Sequence, residues 1–226
     1  MVKTLDIILG PMFSGKTSKL LEIVNNFKSI NQKDNSGLIF ILKPDIDRRY
    51  EESDEISHII SHDKIKHECY LVNDIMRFQD YILSSCRTEE NLRKKDILIL
   101  IDEGQFLKDL RKFCETLFKS IDKDKNIKIV VSGLDGDFER NPIGEILTLI
   151  PISDSVVKLK GKCDFCSNQS IFSKRICDGK EQVLIGGNNI YKPVCRLHYW
   201  IFKIIVYRYT YNICQYNIDS IVITWW

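Results

Sequence analysis

The sequence lacks an excess of either charge: 33 Lys and Arg face 31 Asp and Glu, for a net charge of +2. A chain so balanced has no strong sequence-independent pull toward nucleic acid, and no basic stretch is interleaved with aromatics, so a nucleic-acid partner is not expected. Only five prolines and eleven glycines are spread through 226 residues. No Pro- or Gly-rich linker, repeat or low-complexity tract results. The four histidines are too few for a histidine-rich metal tract. No run approaches the ~20 apolar residues a membrane-spanning helix requires, so a membrane partner is not expected either. The start, Met1 to Thr4, leads into an apolar segment with no signal-peptide pattern, so a cytoplasmic, reducing location is expected. There, eight cysteines read as metal ligands or small buried apolar residues rather than disulfides. Cys69, Cys86, Cys114, Cys177 and Cys214 have no ligand-like spacing and read as structural.

What is present begins at residue 10. Gly10-Pro11-Met12-Phe13-Ser14-Gly15-Lys16-Thr17 spells G-x-x-x-x-G-K-T directly after the apolar Leu5 to Leu9. A buried strand is expected to enter a glycine-rich turn, with a helix opening at about Ser14 or Gly15. Backbone N–H groups and the positive end of the helix then converge on an anion. Lys16 would reach the outer phosphates of a nucleoside triphosphate, and the Thr17 hydroxyl would ligate Mg²⁺.

Further along, Gly37 to Leu42 reads as a second buried strand and Lys19 to Phe27 as an amphipathic helix. Pro44 to Lys66 is charged and broken and reads as a long mobile segment. Val72 to Cys86 and Leu107 to Ile121 read as helices, and Ile127 to Gly133 as a strand. Asp96 to Glu103 is continuous and apolar until it closes on Asp102 and Glu103, as suits a parallel strand covered on both faces. Strands alternating with helices give an α/β parallel sheet, with the ligand beyond the carboxyl ends of the strands.

Asp102 following four apolar residues suits a carboxylate that orients Mg²⁺, and Glu103 a base that takes a proton from an attacking hydroxyl. The two roles could be exchanged, and without the phosphate loop the pair would read as solvated strand-end acids. A guanine-reading N-K-x-D motif is absent, which argues against a GTPase.

Cys163-x-x-Cys166 and Cys195-x-x-His198 form two knuckles separated by 28 residues, a gap that can hold a hairpin. Four sulfur or imidazole ligands with no carboxylate point to closed tetrahedral structural Zn²⁺ rather than a catalytic metal. Between the knuckles, the β-type run Gln182-Val183-Leu184-Ile185 ends in Gly186-Gly187, which suggests close backbone approach to a ligand or strand, or an ordinary turn.

Taken together, these residues resemble the zinc-containing thymidine kinases of the tetrameric cytosolic and viral type. The likeness covers about Leu5 to Tyr199 in five ordered blocks: residues 10–17; Lys43-Pro44, Asp47-Arg48 and Ser61-His62-Asp63; Ile101 to Phe106; Gly133 to Phe138 with Arg140 and Pro142; and Val183 to Gly187 with Tyr191 and Cys195 to His198. The resemblance implies a P-loop, RecA-like sheet over 1–158, a zinc module with a substrate-closing loop over 159–200, and a tail of unknown role over 201–226. It implies transfer of the ATP γ-phosphoryl to the thymidine 5′-hydroxyl with Mg²⁺, by a homotetramer open to feedback inhibition by thymidine triphosphate. Glu103 matches the family's base. Residues 10–17 with Asp102 and Gln105 match the ATP side. Phe106, Phe138, Gln182, Val183, Leu184, Ile185, Gly186 and Tyr191 match the thymidine side, and Cys163, Cys166, Cys195 and His198 match the zinc ligands, the last varying between Cys and His in the family. Arg48 and Asp63 are further candidates at the phosphates or hydroxyl. A deoxynucleoside kinase of broader base choice, or a zinc-bearing P-loop ATPase acting on nucleic acid, are the competing readings. The tail from Tyr199 to Trp226 is rich in Ile, Val, Tyr and Trp, but Lys203, Arg208, Gln215 and Asp219 interrupt it. It reads as a covering strand or helix, a subunit contact or an aggregation-prone extension.

Overall fold

The structure, a computed structural model, describes residues 2–31, 37–46, 58–60, 66–92, 94–177 and 181–201. Most of the expected mobile segment, with Arg48 and Asp63, and the tail beyond residue 201, with Cys214, lie outside the described residues.

Eight strands precede the metal-ligand knuckles: β1 (Lys3–Leu9), β2 (Gly37–Pro44), β3 (His58–Ile60), β4 (Lys66–Glu68), β5 (Tyr70–Val72), β6 (Asp96–Ile101), β7 (Asn126–Gly133) and β8 (Ser155–Lys158). The helices are α1 (Lys16–Asn31), α2 (Ile75–Ser85) and α3 (Leu110–Ser120). Six strands form one sheet in the order β5-β2-β6-β7-β1-β8, and every pairing in it is parallel. β3 and β4 form a separate antiparallel pair.

The alternation of side chains along each strand explains why the β6 run is apolar throughout. Ile97, Ile99 and Ile101 join a core with Phe113 and Leu117 of α3, Ile82 of α2, and Ile146 and Leu149. Leu98 and Leu100 face the other way, onto Leu20, Leu21 and Val24 of α1. A sheet covered on both faces needs apolar residues at both parities.

Several boundaries differ from the sequence expectation. Val72 ends β5, and α2 begins at Ile75 because the Asp74 carboxylate accepts from the Met76 and Arg77 amides, a cap worth ~1 kcal/mol. Leu107 is extended and α3 starts only at Leu110. β6 stops at Ile101, so Asp102 and Glu103 lie just past the strand, Glu103 with φ 51°. Helix α1 starts at Lys16, after the glycine-rich turn is complete.

Beyond the sheet, β9 (Gly161–Lys162) pairs with β10 (Gln169–Ser170), and β11 (Phe172–Arg175) with β12 (Tyr191–Val194). A hairpin does fill the gap between the knuckles. Residues 182–187 form no strand, however, and run as irregular backbone between β11 and β12. Among the described residues no helix is long and apolar enough to cross a membrane.

Candidate functional site

The turn after β1 is crowded. A Cβ on Gly10 would lie 2.6 Å from Ser14 Oγ and 2.9 Å from the Leu159 carbonyl, so only glycine fits. Phe13, at φ 61°, occupies the left-handed region that non-glycine residues rarely enter, and it is partly exposed. Strain of this kind collects where a backbone is shaped for a ligand. The Ser14 hydroxyl is buried with no hydrogen-bond partner among the described residues, as fits a cradle whose missing partner is a bound anion. Lys16, itself buried, curls back and donates to the carbonyls of Gly10 (3.1 Å) and Pro11 (3.0 Å).

One residue into α1, the Thr17 hydroxyl donates to Asp102 Oδ2 at 2.9 Å, while Ser132 Oγ of β7 donates to Asp102 Oδ1 at 2.5 Å. Burial, reinforced by the neighbouring Glu103 carboxylate, pushes the Asp102 carboxyl above its ordinary range. The Ser132 and Thr17 hydrogen bonds and the Lys16 ammonium pull the other way. A hard oxygen donor set of hydroxyl and carboxylate suits Mg²⁺, whose charge would hold Asp102 ionised.

Glu103 turns away from this cluster. Gln105 Nε2 donates to Glu103 Oε2 at 2.6 Å, and the Leu134 amide donates to Gln105 Oε1 at 3.0 Å. Gln105, expected on the ATP side, braces Glu103 against the loop that follows β7.

Glu103 borders a pocket, partly open to solvent, whose walls come from several separate parts of the chain. Phe106 follows Glu103, Phe138 comes from the loop after β7, Gln182 to Gly186 form an irregular strap, and Tyr191 begins β12. All eight residues expected on the thymidine side therefore line one cavity. Met12, expected on the ATP side, lines it too, and its amide donates to the Ser173 hydroxyl oxygen at 2.8 Å, tying the phosphate loop to β11.

Other contributors carry no motif of their own. Asp137 accepts from the Glu139 and Asn141 amides at 2.8 Å and from Gln182 Nε2 at 3.0 Å, joining its loop to the strap. Ser173, Leu134 and Ile143 also line the pocket. A Ser on a short strand leaves nothing in the sequence to mark it. For Asp137 and Leu134 the available signal is that both lie within the Gly133–Phe138 block.

The second cluster is compact. The ligand atoms of Cys163, Cys166, Cys195 and His198 all lie within 4.8 Å of one another. Cys166 and Cys195 sulfurs are 3.8 Å apart, and His198 Nδ1 lies 3.6 Å from Cys163 Sγ and 3.3 Å from Cys195 Sγ. Tetrahedral Zn²⁺ with Zn–S of ~2.3 Å requires sulfur–sulfur edges of ~3.8 Å, so the donor set fits that ion. Cys177, expected to be structural, is exposed instead. Immediately after the last ligand, the Tyr199 hydroxyl donates to the Phe138 carbonyl at 2.9 Å, and Arg140 lies over the Tyr199 and Trp200 rings. The cluster is thereby linked to the pocket.

Comparison with known proteins gives concordant results. The family model described as thymidine kinase matches residues 3–199. A thymidine kinase of Oryza sativa subsp. japonica is 38% identical over 88% of this chain and 67% of its own length. The thymidine kinase of Choristoneura biennis entomopoxvirus is 36% identical over 87% of this chain and 96% of its own. The cytosolic thymidine kinase of Homo sapiens is 33% identical, covering 87% and 73% respectively.

Proposed function

The chain belongs to the thymidine kinase family, and from that membership we propose that it transfers the γ-phosphoryl of ATP to the 5′-hydroxyl of thymidine. The product, thymidine monophosphate, would enter pyrimidine deoxynucleotide salvage for DNA synthesis. The observation that carries the reading is the position of Glu103, between the phosphate-loop cluster and a pocket lined by all eight residues expected to hold the nucleoside.

The backbone of residues 10–15 and the Lys16 ammonium hold the ATP phosphates, Lys16 leaving the Gly10 and Pro11 carbonyls to do so. Thr17 and Asp102 hold Mg²⁺, which supplies neutralisation of the phosphate charge when bound. Thymidine occupies the pocket, with its base between Phe106, Phe138 and the strap. Backbone groups of residues 182–186 read the pyrimidine edge, and Tyr191 supports them through its 2.9 Å hydrogen bond to the Leu184 carbonyl. A site built on such polar partners discriminates strongly, because a wrong base leaves buried groups unpaired. Glu103, held by Gln105, accepts the 5′-hydroxyl proton as the new P–O bond forms and the bond from the γ-phosphorus to the bridging oxygen breaks, releasing ADP. The Phe138 loop excludes water, which would otherwise take the phosphoryl group.

Cys163, Cys166, Cys195 and His198 hold Zn²⁺, which supplies a structural cross-link and no catalytic step. We propose the division 1–158, 159–200 and 201–226 as phosphate-transfer domain, zinc module and tail. A cytoplasmic homotetramer inhibited by thymidine triphosphate completes the proposal. Light scattering of the purified protein checks the first property, and inhibition kinetics the second.

The deciding experiment is turnover with ATP and Mg²⁺ on thymidine, deoxyuridine, deoxycytidine and purine nucleosides, with zinc analysis of the same sample. Preference for thymidine and one zinc per chain are expected. Equal turnover across the bases replaces the proposal with a broad deoxynucleoside kinase. DNA-stimulated ATP hydrolysis without nucleoside phosphorylation replaces it with a nucleic-acid ATPase.

A further inference from the structure

Arg175, the last residue of β11, is buried behind the pocket rather than among its lining residues. Its guanidinium lies 3.9 Å from the centroid of the Phe138 ring, well inside the ~6 Å over which a cation is held by a ring face. The same group donates through Nη1 to the Glu181 carbonyl at 2.7 Å and through Nη2 to the Tyr191 hydroxyl at 2.8 Å, with a longer 3.4 Å contact to the Gln182 carbonyl. Tyr191, directly opposite Arg175 in the β11–β12 register, passes its own proton to the Leu184 carbonyl at 2.9 Å.

One side chain therefore reaches three walls of the cavity. Of these walls only β12 belongs to a ladder, and the strap between residues 182 and 187 has none of its own to fix it. Apart from the Gly187 carbonyl, which accepts from the Ile190 and Tyr191 amides, irregular backbone of this kind depends on side chains or water for its partners. We propose that Arg175 is the positioning residue of the nucleoside pocket: its guanidinium sets the plane of Phe138 and the height of the 181–184 backbone together, and so governs thymidine affinity without touching the reacting atoms. The inference rests on the thymidine kinase reading above and assigns that pocket its alignment device.

Planarity and the donor fork are what the position uses. Lysine preserves the charge, yet its single ammonium can neither stack flat on Phe138 nor reach the Glu181 carbonyl and the Tyr191 hydroxyl at once. Arg175→Lys separates alignment from charge. The phosphate loop and Glu103 make none of these contacts, so the ATP side is a built-in control.

The test is steady-state kinetics of the full-length zinc-loaded protein, wild type against Arg175→Lys, with thymidine and ATP varied separately. Thymidine KM is expected to rise about tenfold or more, with kcat and ATP KM within about twofold and zinc content unchanged. An unchanged thymidine KM, or a parallel rise in both KM values, overturns the proposal. If Arg175→Lys does not fold, Tyr191→Phe, which removes both the acceptor of Arg175 Nη2 and the relay to Leu184, is expected to raise thymidine KM about threefold to tenfold; no rise overturns it equally. Absence of thymidine turnover by the wild type refutes the underlying reading itself and is distinct from these outcomes.

Discussion

Thr17 and Asp102, 85 positions apart, are joined by a 2.9 Å hydrogen bond from the threonine hydroxyl to Asp102 Oδ2. One group opens α1 and the other follows β6, with β7 standing between the two phosphate-site strands. The Ser132 hydroxyl of that intervening strand completes the cluster at 2.5 Å. The proposed magnesium ligands are thus aligned by contacts the protein makes on its own, which lowers the cost of organising them when ATP binds.

Removing the threonine hydroxyl tests that alignment. Thr17→Val keeps the shape of the side chain and withdraws one ligand from Mg²⁺ and one hydrogen bond from Asp102. The Mg²⁺ concentration for half-maximal turnover is expected to rise about tenfold, with thymidine KM little changed. A magnesium titration at saturating ATP reads this, and an unchanged midpoint removes Thr17 from the metal site.

Glu103→Gln is nearly isosteric and removes the proton acceptor. Turnover is expected to fall by about 10²- to 10⁴-fold, while binding of a non-hydrolysable ATP analogue stays within about twofold. Single-turnover kinetics with titration calorimetry separates the two quantities. Retention of more than about a tenth of wild-type kcat would be incompatible with the general-base role assigned to it.

Cys166→Ala opens the proposed zinc site. Metal analysis is expected to show loss of the ion, and thermal unfolding a lower Tm. Thymidine affinity should fall with them, because Tyr199 holds the Phe138 carbonyl from the first residue beyond the ligand set. Full zinc content with unchanged Tm in Cys166→Ala would exclude this cysteine as a ligand.

Burial separates the remaining thiols. Cys114 has no exposed surface, and desolvation pushes its thiol up to about 12, so almost no thiolate exists near neutral pH. The native protein at pH 8 is expected to lose exposed Cys177 to iodoacetamide within minutes and to retain Cys114 until unfolded. Peptide mass mapping over time decides this. A folded-state value raised above the ordinary 9.0 also means that the native state binds this proton more tightly than the unfolded chain. Its stabilising contribution is therefore present below about 9 and is lost as pH climbs toward 12.

The sequence made the phosphate loop, the paired carboxylates and both metal knuckles legible, because each is a fixed spacing of residue types with few other uses. Core strands were legible for a related reason: Ile97 to Ile101 must satisfy two apolar faces at once. The short edge strands β5 and β8 were not, since Tyr70 to Val72 and Ser155 to Lys158 have three or four residues each and little burial to pattern them. The 182–187 strap was misjudged as β-type because Val183, Leu184 and Ile185 are apolar toward a pocket rather than toward a sheet. Arg175 was invisible altogether. Its contacts lie with Phe138 and Tyr191, brought together only by the β11–β12 hairpin and the loop after β7.

Gly144 provides the most demanding test of how the backbone supports Glu103. It adopts φ 59°, and a Cβ there would overlap the Gln105 carbonyl oxygen, a backbone atom with no freedom to swing aside. Gln105 in turn donates at 2.6 Å to Glu103 and accepts from the Leu134 amide at 3.0 Å. Gly144→Ala must therefore push the segment bearing the base, at a cost of about 2–4 kcal/mol in stability. A loss of kcat beyond what the reduced folded fraction explains is expected as well, since Glu103 moves with Gln105. Gly187→Ala is the matched control: the added carbon would meet only Asn189 Oδ1 at 3.8 Å, so stability should change by less than about 0.5 kcal/mol. Denaturant unfolding and kcat of both variants, measured below the first sign of unfolding, give the comparison. If Gly144→Ala behaves like Gly187→Ala, the close approach of residue 144 to Gln105 does not position the base.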